Sequence, residues 1–469
     1  MQNLSIEHII SIIATLILVA LVGIYSGKKV KSSSDFSTAG RKAGWQIVAG
    51  TIIGTLVGAA STVATSQMAF LYGFSAWWYT LGSGTGCLLL GLIFTRKLWN
   101  SNAKTVPEIL SREYGKTANV CCSVIVCLSL FLSVIPQVLA LSALFSSMLQ
   151  ISLVIATILS IILMIVYVVF GGVWGTGLAG VCKTVLIYFS IIIAGVAVTI
   201  QAGGISGFQG MLPAFPYFSM WGNGVSSGLG GFVAAIIGVM ASQTYIQAVM
   251  SGKSVNAGRI GAVTSFILIP PVGFVSVLIG LFMKYHYPDI NAASAFPLFI
   301  LQYINPWIAG IILATILISV IGTGAGVTLG ISTILTNDLY KKVFRPDADD
   351  KNLLMVSRLF IIIVLAATFV FTYGNLKSLM LKWTFLSMGL RGTAAFLPLV
   401  FALFMKGKVH PVAAVFAMIL GPIGVLLWKF FGIASVDSIW AGLVVVLVCM
   451  LIGVLMFRGK VPLDKDKSA

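Results

Sequence analysis

Acidic groups are scarce in this chain. Its 469 residues hold twelve aspartates and glutamates and three histidines, and only 9% are charged, where a soluble domain averages about 25%. No carboxylate falls deep in an apolar run. That excludes paired buried acids, and with them the usual general acid–base enzymes. No HExxH run or Ser/His arrangement appears, and His8, His286 and His410 sit at the ends of apolar runs. The six cysteines (Cys87, Cys121, Cys122, Cys127, Cys182, Cys449) form no CxxC pair. They read as small buried hydrophobes, neither a disulfide frame nor a metal site. No enzyme and no cofactor is expected.

What the chain does have is hydrophobicity: 59% apolar residues and a mean hydropathy of +1.06. Runs long enough to cross about 30 Å of hydrocarbon recur throughout, and a β-barrel would show short alternating segments instead. The fold class is therefore an all-α polytopic membrane protein in a lipid bilayer. Thirteen spans are predicted, at 7–27, 45–72, 76–95, 117–148, 151–170, 177–201, 226–249, 260–283, 306–335, 353–372, 378–405, 410–431 and 438–457. They read as one membrane domain over 1–469, with a polar tail at 458–469.

The net charge of +17 needs no nucleic acid. With the N-terminus outside, the loops 28–44, 96–116, 250–259, 336–358 and 406–408 and the tail hold 23 of the 29 basic residues. That is the positive-inside pattern. It predicts a plasma (bacterial inner) membrane protein with a cytoplasmic C-terminus.

Two spans are too glycine-rich for plain helices. Span 45–72 contains Gly50, Gly54 and Gly58, four apart, and span 226–249 opens GLGGFVAAIIG. Such spacing suits close helix packing. It also suits a helix unwound at mid-depth to coordinate an ion or substrate. Interruptions at matching places predict a 5+5 inverted repeat, with halves at about 45–201 and 226–405 and extra helices at 7–27, 410–431 and 438–457.

Four cations fall inside spans: Lys183, Lys382, Arg391 and Lys429. Lys382 and Lys429 lie near predicted outer ends, where they can snorkel. Arg391 sits mid-span. A guanidinium there can grip a carboxylate bidentately or cap an unwound helix. An ionisable group in a span is a functional-site hypothesis by default.

The motifs DFSTAGRKAGW (35–45), TVPEILSREYG (105–115), FGGVWG (170–175), SQTYIQAVMSGKS (242–254) and ISTILTNDLYKKVFRP (331–346) occur in this order along the spans. Together they resemble the sodium:solute symporter family, whose members have the LeuT-type fold with broken first and sixth core helices. The resemblance implies secondary active uptake of a small organic solute by alternating access.

It also implies a sodium site built from the carbonyls of Gly54, Val57 and Ser319 and two adjacent hydroxyls. At the hydroxyl positions this chain has Gly322 and Thr323, so one oxygen is missing. A second sodium site, aligned to Leu56, Gly180, Ala325 and Gly326, has lost its polar ligands. Lys183 stands where the family usually has glutamine. Three readings stay open: its ammonium replaces the cation (and can also load and lose a proton), it snorkels to headgroups, or it touches solute.

Aligned to sugar-binding relatives, the substrate positions are Ser61, Thr80, Ser83, Ser242 and Gln243, with Tyr245 as a gate. Arg391 adds a preference for a carboxylate or zwitterion. Trp77, Trp78 and Tyr79 read as an interface belt or a stacking surface. Gln137, after Pro136, lines the cavity or satisfies freed backbone. The expected function is a transporter coupled to H⁺ or independent of sodium. The alternatives are an ordinary Na⁺-coupled symporter and a transporter-derived solute sensor.

Overall fold

With no water to satisfy them in hydrocarbon, backbone N–H and C=O groups must pair within the chain. In the computed structural model every named element among the described residues is accordingly helical. Those residues are 4–27, 42–101, 103, 105–171, 179–336, 340–341, 345, 347, 349–433 and 435–456. Most of the first motif (35–45), residues 172–175 of the third and the tail 458–469 lie outside them, as does part of 331–346.

The helices that position the site are α1 (Ile6–Gly27), α2 (Trp45–Leu56), α3 (Val63–Tyr72), α4 (Trp78–Leu89), α5 (Val106–Tyr114), α6 (Lys116–Leu149), α7 (Leu153–Gly171), α8 (Ala179–Gln201), α9 (Val225–Met240), α10 (Gln243–Met250), α11 (Val255–His286), α12 (Pro306–Ile334), α13 (Asp350–Tyr373) and α14 (Met380–Phe404). After them come α15 (Pro411–Phe431) and α16 (Ser438–Leu455). Among the described residues nine helices are long and apolar enough to cross a membrane, or ten when α9 and α10 count as one bent span. Ile6–Leu21, Trp45–Leu56, Leu153–Val169 and Ala292–Tyr303 are shorter apolar helices.

Burial separates centre from rim. In α12, 72% of the apolar window is inside the protein, against 22% in α13. The rim helices turn residues such as Ile192, Val196, Ile362 and Phe371 outward, because lipid is as good a solvent for them as the protein core. The same reason corrects one expectation. All six cysteines are free, but only Cys87 and Cys122 are buried.

Both glycine-rich spans are broken. The first runs as α2, unwinds through 57–62 and resumes as α3. The second bends by 49° between α9 and α10. At the first break a Cβ on Gly58 would sit 2.9 Å from the Thr323 hydroxyl, so only glycine lets this strand approach α12. Hydroxyls replace the lost helix bonds. Ser61 Oγ donates to Leu56 O (3.2 Å), Thr62 Oγ1 to Gly58 O (2.9 Å), Thr65 Oγ1 to Ala60 O (2.7 Å) and Ser276 Oγ to Ser61 O (3.1 Å).

At the second break, glycine again sets the spacing. A Cβ on Gly238 would lie 2.5 Å from Met388 Cβ, and one on Gly392 would lie 2.4 Å from Ile237. Helices α9 and α14 therefore touch through their glycines, which carries Arg391 to the bend.

Candidate ion and substrate site

A cavity of about 1550 Å³ runs between the two broken helices. Its mouth is lined by Thr105, Val106, Asn119, Ser123 and Thr333, at the end of the bundle that carries the basic loops 96–116 and 336–358. Deeper in, it is bounded by Gly54, Lys183, Gly322 and Thr323 on one side and by Tyr79, Ser242, Tyr245, Thr384, Met388 and Arg391 on the other. Toward the other end of the bundle, α3 is tied to α14. Gln67 on α3, itself buried, donates to Ser378 O (3.1 Å) and accepts from Met380 N–H (3.0 Å), pinning α3 to the start of α14.

Lys183 is 8% exposed and does not turn toward headgroups. Its ammonium donates to Gly54 O at 2.5 Å, to Ser319 O at 3.1 Å and to Thr323 Oγ1 at 3.2 Å. An ammonium has three donors, and all three are used. Thr323 Oγ1 in turn donates to Ser319 O at 2.9 Å. Val57 O, the remaining carbonyl of the sequence-derived ion set, accepts from Ser319 Oγ at 2.9 Å. Gly322 offers no oxygen, and a Cβ there would meet nothing within 4 Å. Each of these four oxygens therefore already takes part in a hydrogen bond within the protein.

Arg391 is 7% exposed. Its Nε donates to Gly238 O at 3.2 Å, in the last turn of α9. That is one of the two roles expected of it. The guanidinium also faces the phenols of Tyr79 and Tyr245.

The other substrate candidates divide. Ser242, Gln243 and Tyr245 line the cavity, with Gln243 Oε1 accepting from Val106 N–H (2.7 Å) and so tying α10 to α5. Ser61 and Ser83 sit behind the wall, against the Tyr79 phenol. Thr80 faces away, packed so closely on α11 that a Cβ on Gly273 would meet its hydroxyl at 2.0 Å. Helical phase is the reason: Tyr79 takes the inward position and turns its neighbour 100° aside. Trp77 and Trp78 donate to Pro270 O (2.9 Å) and Met220 O (2.7 Å), which fixes them as structural pins. Gln137 lines the cavity. Tyr79, Thr384 and Met388 were not among the substrate positions read from the sequence. The run WWYT marked Tyr79 only as an aromatic cluster, and nothing in the sequence marked Thr384 or Met388.

The model of the Sodium:solute symporter family matches residues 36–421. The chain belongs to that family. This family member is therefore a transporter and not an enzyme, and it is an integral plasma-membrane protein. It is 24% identical to the sodium/proline symporter of Escherichia coli (strain K12), over 94% of this chain and 91% of that one. It is 22% identical to the osmoregulated proline transporter OpuE of Bacillus subtilis (strain 168), over 97% of this chain and 95% of that one. Among solved structures it shares its LeuT-like fold with a Na⁺-coupled sialic acid symporter in a substrate-bound, outward-open state. That match has a TM-score of 0.77 and 19% identity, and it covers 98% of this symporter-family chain and all of the other.

Proposed function

We propose that the protein takes up a small organic solute by alternating access without sodium, with the Lys183 ammonium standing in the cation site. The observation that carries this reading is the triad of bonds from Nζ to Gly54 O, Ser319 O and Thr323 Oγ1. A cation in that place would brace α2 against α12. A tethered ammonium makes the same cross-link with its three donors and cannot diffuse away. It can carry a proton, so H⁺ is the coupling ion this reading allows. The relatives named for proline and the buried Arg391 support a solute bearing a carboxylate, amino-acid-like or simpler.

Relatives named sodium/proline symporters favour a second reading, in which Lys183 swings aside and sodium enters. Uptake into proteoliposomes under separate sodium and proton gradients decides between them. The first reading expects uptake unchanged when choline replaces sodium outside. Strict sodium dependence, retained in Lys183→Gln, rejects it.

A further inference from the structure

The two buried cations of the cavity differ in what they have left to offer. Lys183 has spent its three donors on protein oxygens. Arg391 has spent one, on Gly238 O. Among the described residues no acceptor engages Nη1 or Nη2, and the residue is 93% buried on a cavity wall. A buried guanidinium with open N–H groups is poised for an acceptor that arrives from outside the protein.

The neighbouring backbone carries the same sign. The eight residues of α10 start at the bend, and no side chain caps that start. A helix N-terminus of this kind favours negative charge. Ser242, Thr244 and Tyr245 all line the cavity beside Arg391. Among the described residues no aspartate or glutamate lines it. The carbonyls of the first break, which could hold a solute ammonium, are bonded within the protein from Leu56 to Ser61.

We infer that Arg391 and the first turn of α10 form an anion subsite, and that the solute is a small monocarboxylate with a neutral organic part. This rests on the transporter reading above and names its solute class. A carboxylate fits the fork of Nη1 and Nη2 in two parallel bonds. Tyr79, Tyr245 and Met388 would flank the organic part. A zwitterion finds the carboxylate site but no acid for its ammonium.

The test is a thermal-shift series on the full chain in detergent. The probes are unbranched monocarboxylates of two to six carbons, their primary amides, L-alanine and L-proline. At least one carboxylate raises the melting temperature, while its amide does not. Arg391→Gln weakens that carboxylate by about 10- to 100-fold, the range for losing bonds to a charged group. Arg391→Lys, which keeps charge but not the fork, loses less. If Arg391 only braces Gly238, both variants melt lower without ligand but respond to the carboxylate as wild type does. That outcome overturns the proposal, as does a panel in which only amides or zwitterions shift the protein, or in which no carboxylate does. The Lys183 reading fails separately: its failure appears as sodium-dependent uptake, with the preference for carboxylate over amide intact.

Discussion

At the first break, every carbonyl from Leu56 to Ser61 accepts a protein hydrogen bond, five of them from serine and threonine hydroxyls that lie four or five residues on or on Ser276 and Ser319, and Gly54 O is held by Lys183. At the second, the chain bends through Ala241 and Ser242, whose N–H groups return to Ile237 and Val239, while the helix beyond starts uncapped at the cavity wall. The same device, a helix interrupted at mid-depth, has thus been closed in one place and left open in the other. An unwound backbone is costly in hydrocarbon unless its groups are paired. Where protein does the pairing, the break is a joint. Where the cavity is left to do it, the break is the proposed binding surface.

The comparison breaks most sharply at Lys183. Lys183→Met strips the ammonium from Gly54 O, Ser319 O and Thr323 Oγ1; Thr323 still donates to Ser319 O, but leaving the buried Gly54 acceptor bare costs about 1–3 kcal/mol. Uptake should vanish, and thermal unfolding should shift down by several degrees. Unchanged uptake would mean that the first break is not held by the amine. A subtler change should reopen the joint to a metal. Lys183→Gln combined with Gly322→Ser returns an oxygen to a position where a side chain meets open space. Uptake by this double variant should gain a sodium stimulation that the proposed reading denies to the wild type. If sodium still has no effect, the missing hydroxyl is not what excludes it.

A third change loosens the tie between α3 and α14. Gln67→Leu removes two buried hydrogen bonds to the start of α14, together worth about 1–3 kcal/mol. Hydrogen exchange in α3 and in the first turn of α14 should rise, with the second break untouched. Equal exchange in both proteins would show that the tie lies elsewhere.

The smallest effect is expected at Glu113, on the loop helix α5. It is buried and accepts the Gly407 N–H. Burial pushes its carboxyl above the usual value of 4.5, against the opposing pull of Gly407 and Lys406. The folded state then holds the proton more tightly than the unfolded one, so stability falls as pH rises above 4.5 toward the folded value. Glu113→Gln keeps an acceptor for Gly407 and should flatten that decline in melting temperature. A parallel decline in both proteins would remove Glu113 as its source.

Much of this was legible in the residues. The helical membrane class follows from run length, since an apolar run of such length has one way to satisfy its backbone in lipid. Glycine spacing marked both broken spans. Lys183 and Arg391 stood out because a charge inside a span needs a reason. What stayed hidden was direction. Thr80 and Tyr79 are adjacent in sequence, and only packing against Gly273 decides which of them the solute can meet. Gln67 is one more polar residue in TSQMAF until α14 is laid beside it.

The amino-acid order by itself determined the solvent, the helices, the places where they break and the presence of two misplaced positive charges, because those depend on composition and local spacing. Tertiary structure alone decided that one of these charges is fully engaged and the other is not. Engagement depends on oxygens 129 and 136 residues away in the chain, and no local rule brings such atoms within hydrogen-bonding distance.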